Sequence, residues 1–268
     1  MPKTHSIPMG LEEYKLIPQR PGWKHEYWNG RLRLSPNHRV TVFSRPTDAP
    51  LHENPLHSSP LKLETRFLLD LELATFTSAF TASFSGSMDF ADRTGMQVRA
   101  FAKKFWHQLE TGQRGQVHAS SAAILSPGRK PRALSLIVFV ERDPDEVLMD
   151  CLFTRPEWQS QGLAKNLLAR ALPLLQQTGI QTIWSGVFEG NQASTNWHMR
   201  NGFGIAPDLM RATSMVHRLR HELHRLGQLG RTGHALEVQL EAAQKLEAEL
   251  EARASVEGFR AVSALEKL

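Results

Sequence analysis

Cysteine is nearly absent from this chain of 268 residues: Cys151 stands alone. An internal disulfide or a cysteine-cluster metal site is therefore excluded, and no metal is expected. Long apolar runs are missing too. No stretch approaches the roughly 20 apolar residues that cross a bilayer, so no membrane span is expected. The opening MPKTHSIPMGLEEYK has no apolar core behind its charges and does not read as a signal peptide, which makes a cytoplasmic location the expectation. No Gly-x-Ser-x-Gly elbow and no Walker loop appears. Lys and Arg (32) outnumber Asp and Glu (27), a formal surplus of +5. Without a basic run interleaved with aromatics, that surplus carries no nucleic-acid reading, and no nucleic-acid partner is expected.

What is present is enough apolar material for a packed core: 41% of residues, with 13 Phe and 6 Trp. Residues 1–60 read as an N-terminal extension. In it, Asn29-Gly30 joins two alternating arms, because both residues tolerate the positive φ of a type I′ hairpin turn. An extended run follows at Arg39 to Phe43, then a linker from 45 to 60 dotted with Pro and with His52 and His57. Residues 61–206 read as a domain. Its expected order is a strand at Leu61 to Phe67, helices at 70–84 and 90–110, and strands at Val117 to Leu125, Ala133 to Val140 and Val147 to Thr154. A helix at 160–178, a strand at Gln181 to Phe188 and a short helix at Ala193 to Arg200 complete it. Pro173 is expected to bend the long helix. Residues 207–268 form a helical extension. Its apolar residues Leu236, Leu240, Ala243, Leu246 and Leu250 make an amphipathic helix too short for a coiled-coil assignment, one that either packs on the domain or pairs two protomers.

The stretch that carries chemistry runs from Phe153 to Lys165. A strand ends, Pro156 stops the ladder, and a loop with one glycine opens a long helix. Loop amides and first-turn N–H groups have no intrahelical partner, and the helix dipole adds partial positive charge, so this end suits a pyrophosphate. Gly162 lets the backbone approach the phosphates and Ala164 keeps a side chain out of their way.

The series Gln159-Ser160-Gln161-Gly162-Leu163-Ala164, followed by a strand, Asn191, a short helix and Gly202-Phe203, resembles the GCN5-related N-acetyltransferase superfamily. The resemblance covers about residues 61–206. It implies an α/β fold: a central mixed, mostly antiparallel sheet flanked by helices, here with a hairpin extension before it and helices after it. It also implies acetyl-CoA as co-substrate and an N-acyltransferase that moves the acetyl group to a small-molecule or peptide amine by direct attack in a ternary complex. Under it, Leu152, Phe153 and Thr154 would pair with the pantetheine amides, the Phe153 N–H would face the thioester oxygen, and Gln159, Gln161, Gly162, Leu163, Ala164, Lys165 and Asn191 would bind the cofactor. Ala164 stands where the family usually has a second glycine.

The family's usual acid, a tyrosine, aligns with His198, and an imidazolium is a competent acid near neutral pH. The same histidine on a short helix could instead only pack or bond a backbone carbonyl. An alkylammonium has a pKa of roughly 10 and must lose a proton before attack. Glu141, Asp150 and Glu189, near strand ends, are the candidate bases, and Glu189 is the one carried as catalytic. Cys151 reads as core filler. His217, His221 and His224 could share a helix face, but Arg218, Arg220 and Arg225 among them would repel a cation. A module that binds acyl-CoA without turnover, with a partner-binding helical tail and a homodimer through it, is the alternative reading. A third uses the arginines from Arg211 to Arg231 on nucleic acid, which counterion release would make salt-sensitive.

Overall fold

The computed structural model describes residues 5–18, 23–36, 40–51, 63–206 and 209–257. Among them, 43–205 form one compact unit, and 5–42 with 206–257 a second. His52, His57 and the first residues of the strand expected at Leu61 lie outside the described residues.

The second unit holds a three-stranded antiparallel sheet with β1 (His5–Pro8), β2 (Trp23–Trp28) and β3 (Arg31–Pro36) in the order β1-β3-β2, a short α1 (Leu11–Lys15) crossing between the first two strands in sequence. Asn29 (φ 49°) and Gly30 (φ 71°) make the β2–β3 turn with both φ values positive, as their residue types predict. The same unit contains α6 (Leu209–Gln228) and α7 (His234–Glu257). The apolar side of α7 is used within the chain: Leu236, Leu240 and Ala243 pack with Met215, Val216 and Leu219 of α6.

The first unit is built on a seven-stranded sheet. Its strands are β4 (Val40–Pro46), β5 (Glu64–Phe67), β6 (Ala122–Leu125), β7 (Ala133–Asp143), β8 (Glu146–Thr154), β9 (Thr182–Phe188) and β10 (Gly204–Ile205), in the order β10-β4-β9-β8-β7-β6-β5. Pairing is antiparallel from β5 to β8 and parallel between β8 and β9. Helices α2 (Leu73–Phe84) and α3 (Gly95–Glu110) cover one face, α4 (Leu163–Gln177) the other. β7 is covered on both sides, which explains its almost continuous apolar run. Leu136, Val138 and Val140 meet the α2–α3 core, while Leu134, Ile137 and Phe139 meet the α4 core. On α4, Leu163, Leu167, Leu168, Ala171, Leu172 and Leu175 are the buried stripe. α5 (Gln192–Arg200) follows β9.

Two differences from the sequence expectations have physical causes. Of the extended run at Arg39 to Phe43, Arg39 lies outside the described residues and the rest opens β4, which joins the main sheet beside β9, so the sheet takes in residues assigned to the N-terminal extension. Arg45 on β4 is fully buried and donates to the carbonyls of Asn201 (2.8 Å), Pro46 (2.7 Å) and Ala49. The strand expected at Val117 to Leu125 is only Ala122–Leu125, with a lone bridge from Val117 to Val140. His118 turns the intervening chain inward, its ring bonded to Ser120 Oγ and Thr178 Oγ1. Gly115 permits that approach: its φ is +108°, and a Cβ there would lie 2.7 Å from the Glu141 carbonyl. α4 continues through Pro173, which sits on its exposed side.

One irregularity positions the site. β8 pairs with β7 through Val138↔Cys151 and Phe139↔Met149, so Asp150 is an extra residue, a β-bulge. The bulge sends Asp150 and Cys151 to the same face. Leu148, Cys151 and Phe153 enter the α2–α3 core, Met149 and Leu152 the α4 core. The Asp150 side chain is 1% exposed and pairs both carboxylate oxygens with Arg114, at 2.5 and 2.6 Å. The Arg114 guanidinium lies over the Phe105 ring, 4.6 Å from its centroid. The parallel β8–β9 ladder ends at Met149↔Ser185, just before the bulge. A bulge bends its strand and increases local twist. Beyond it, β8 runs five residues and β9 three without pairing to each other.

Removing one partner of a buried ion pair strands a charge in the core. Arg114→Met is expected to lower unfolding free energy by about 3 kcal/mol, whereas Arg114→Met combined with Asp150→Leu costs less. Urea denaturation of the three proteins measures both.

Candidate functional site

Past the bulge, β8 offers a free backbone edge, and the alternation of its groups decides which atoms point outward. The Arg155 N–H donates to the Leu134 carbonyl on β7 at 2.8 Å. A residue's N–H and C=O share a side and neighbours alternate. Phe153 therefore directs its backbone toward β7, while Leu152 and Thr154 direct theirs to the open edge. The Gln159 side-chain amide, donating to Thr154 O at 3.2 Å, confirms that this carbonyl faces outward. The expectation for the Phe153 N–H is corrected accordingly: the outward amide is that of Leu152. The Phe153 side chain instead closes the aromatic core, 5.7 Å from Phe84 and 5.9 Å from Phe80.

The strand then enters a turn at Pro156–Trp158 and the loop leading to α4. Ser160 (φ 62°) and Gly162 (φ 76°) are both left-handed. Such alternation turns successive amides to one side as an anion-binding nest. A serine in that region costs on the order of 1 kcal/mol, strain that a ligand-binding loop commonly holds. Asn166 makes the first helical bond, to Gly162 O, so the amides of Ser160, Gln161, Gly162, Leu163 and Ala164 have no acceptor among the described residues. The side chains of Gln159 and Gln161 fold back onto the carbonyls of Thr154 and Glu157 and brace the loop. Any hold on an anion here comes from the backbone, with Lys165 beside it.

Loop, open edge and α5 border one groove of about 1150 Å³. From the expected set it brings together Leu152, Phe153, Thr154, Gln159, Gly162, Leu163, Ala164, Lys165 and Asn191. Asn191 caps α5, its Oδ1 accepting the Ser194 amide at 3.1 Å. Gln161 and Glu189 are not among the lining residues. Neither are Glu141 and Asp150, the latter being held by Arg114. Burial and the neighbouring Asp150 carboxylate push the Cys151 thiol upward, so it stays protonated and is core filler.

The groove also contains residues that sequence reasoning missed: Ser83 on the last turn of α2, Ser87 and Asp89 after it, and Arg200 at the end of α5. The Asn191 side-chain amide donates to both Asp89 oxygens at 3.0 Å. Those two residues are 102 positions apart, and no local spacing signals their meeting.

His198 is placed differently from the catalytic expectation. It is 3% exposed and does not line the groove. Nδ1 bonds Ser194 O at 2.8 Å and Nε2 bonds Ser185 Oγ at 2.9 Å, with the Phe43 and Phe203 rings about it. Desolvation lowers its pKa to about 4, against an opposing contribution from the Ser194 carbonyl. It is neutral near pH 7 and has no proton aimed at the groove.

Comparison with known proteins matches residues 103–203 to the acetyltransferase (GNAT) family. Curated proteins give no significant match. Similar solved structures include a GCN5-related N-acetyltransferase from Sphaerobacter thermophilus (14% identity, TM-score 0.44, 62% of this chain and 48% of that one). Another is a PaiA N-acetyltransferase from Thermoplasma acidophilum in complex with coenzyme A (14%, 0.45, 55% and 93%). A third is an acetyltransferase from Novosphingobium aromaticivorans (14%, 0.39, 71% and 66%). The chain spans about half the length of the Sphaerobacter protein.

The burial of His198 has a pH signature. With its folded pKa near 4 and the unfolded value near 6.5, the unfolded chain binds more protons between them. Stability is full above pH 6.5 and falls as pH drops toward 4, by about 3 kcal/mol in all. Chemical denaturation at pH 7 and pH 4 is expected to show that excess loss in the wild type and not in His198→Asn.

Proposed function

We propose that this protein, whose residues 103–203 match the acetyltransferase (GNAT) family, transfers an acetyl group from acetyl-CoA to an amine within a ternary complex. The observation that carries the reading is one groove bordered both by the unbonded amides from Ser160 to Ala164 and by the outward backbone of Leu152 and Thr154. The two suit the two ends of one elongated ligand. A diphosphate fits the loop amides and the N-terminus of α4, with Lys165 and Arg200 as nearby cations. A pantetheine amide fits the strand edge by adding to it as another strand would.

Acetyl-CoA supplies an activated thioester, whose carbonyl carbon the acceptor nitrogen attacks: the C–N bond forms and the C–S bond breaks. The Leu152 N–H, fixed on β8 by the bulge, stabilises the negative charge that develops on the carbonyl oxygen. Phe153 and Phe84 keep the acetyl end apolar. His198 has no part as an acid in this reading. A thiol's pKa of roughly 8.5 to 10 lets the thiolate depart and take its proton from water.

Thermal-shift titration with acetyl-CoA, with dephospho-CoA and ATP as controls, tests the cofactor, because a ligand bound only to the folded state adds RT ln(1 + [L]/Kd). Gly162→Val places a branched side chain at φ +76° in the cradle. It is expected to weaken acetyl-CoA at least tenfold while unliganded stability falls by about 1–2 kcal/mol. No shift for the wild type at millimolar acetyl-CoA defeats the reading; binding without thiol release from any amine leaves the non-catalytic module in its place.

A further inference from the structure

A thioester whose diphosphate lies on the loop and whose carbonyl oxygen meets the Leu152 N–H runs back along β8 toward the bulge. It has little room to continue in that direction. The β8–β9 ladder ends at Met149↔Ser185, three residues from Leu152, so the two strands close on each other about 10 Å further along. On the α4 side, Met149 and Leu152 are packed into the core. The remaining direction leads to the end of α2, where Phe84 and Phe153 line the groove.

Phe84 is the last residue of α2. Its ring centroid lies 4.4 Å from that of Phe80, 5.4 Å from Phe90 and 5.7 Å from Phe153. Phe80 is backed in turn by Phe101 at 5.8 Å and Phe105 at 6.0 Å. A core packed this closely does not give way to an added methylene without strain. The backbone that carries the ring is fixed as well. Ser85 N–H donates to Thr81 O and Ser87 N–H to Phe84 O, with Gly86 at φ +81° making the turn between them. The wall around the rings is polar: Ser83, Ser87 and Asp89 line it. The Ser83 and Ser87 hydroxyls are buried without a hydrogen-bond partner among the described residues. An alkyl chain laid over them would leave them unpaired, so a longer chain gains nothing by turning aside from the rings.

We propose that Phe84 determines which acyl group the protein takes: its ring, backed by Phe80, Phe90 and Phe153, stops the acyl pocket behind the acetyl methyl, admitting acetyl and refusing butyryl and longer linear chains. This rests on the acyl-transfer reading above. Phe84 suits the part because its ring alone separates the groove from the rings of Phe80 and Phe90, so truncating it opens the pocket into apolar space. The cavity so made is lined by aromatic rings, and apolar cavities of that kind stay dry and accept apolar guests.

Calorimetric titration of the full chain with CoA, acetyl-CoA and butyryl-CoA tests this without an acceptor amine. The wild type is expected to bind butyryl-CoA at least tenfold more weakly than acetyl-CoA. In Phe84→Ala the order reverses. Each methylene buried in the new cavity is worth about fourfold in Kd, so butyryl-CoA is expected to bind about tenfold more tightly than acetyl-CoA. Its binding heat capacity should also be more negative, because the added methylenes leave water. Loosened packing alone would weaken both thioesters together and reverse nothing. Phe84→Leu, a milder truncation that keeps the core filled, should bring the two affinities within threefold of each other and carries the test should Phe84→Ala not fold. A wild type that binds butyryl-CoA as tightly as acetyl-CoA overturns the proposal. So does a folded Phe84 variant that keeps the wild-type ratio. Failure of the wild type to bind CoA and acetyl-CoA at all defeats instead the reading on which the proposal rests.

Discussion

The pairing of Arg114 with Asp150 is the constraint on which the groove depends. Because side chains on a strand alternate with period two, one extra residue reverses the face of everything beyond it. Without the bulge, Phe153 would leave the aromatic core, and its amide rather than that of Leu152 would point to the open edge. A bulge that buries a carboxylate is stable only if that charge is met, and Arg114 meets it with both donors while spreading over Phe105. An apolar pair of equal volume could fill the same space. It would not distinguish the bulged register from one slipped by a residue, since Cys151 and Leu152 are both apolar and either would bury.

Burial then sorts the ionisable groups into those that build the site and those able to act in it. His198, Asp150 and Cys151 are all within or next to the functional elements, and all are committed: the histidine to a carbonyl and a hydroxyl, the aspartate to Arg114, the thiol to the core. Desolvation removes the charge that His198 would need as an acid. Asp89 is held at the start of α5, its two carboxylate oxygens accepting from the Asn191 side-chain amide.

Much of this was legible in the sequence, for reasons tied to range. The helices α2, α3 and α4, the Asn-Gly hairpin and the loop before α4 are written in neighbours a few positions apart, and each forms close to where its pattern says, although Leu73 and Met96 at the starts of α2 and α3 face solvent. The Gly162 cradle belongs to this class, since helix N-terminus, glycine and loop are contiguous. Three features were illegible. The bulge is one residue in an otherwise regular apolar strand, and no composition marks it. The meeting of Asp89 with Asn191 is a tertiary event between segments with no shared spacing. The fate of His198 turns on which face of α5 packs inward, and a nine-residue helix with weak amphipathicity does not declare that face.

β4 shows how strongly the groove's second wall depends on chain far from the motif. Arg45 is fully buried with no carboxylate bonded to it among the described residues, and burial lowers its pKa, with exposed Asp48 opposing. Its charge persists because it is spent on backbone carbonyls: Pro46 and Ala49 fix the turn after β4, and Asn201 belongs to the C-terminal end of α5, where the helix dipole is negative. Gly202, at φ +81°, keeps the following residue clear, since a Cβ there would lie 3.4 Å from Arg45 Nε. α5 is therefore held at its start by Asn191 and Asp89 and at its end by Arg45. The β8 wall is held by Arg114. Each side of the groove is thus set by a guanidinium, one partly buried and binding a carboxylate, the other fully buried and binding a helix terminus, and both use the planar, multiply donating geometry that a lysine lacks.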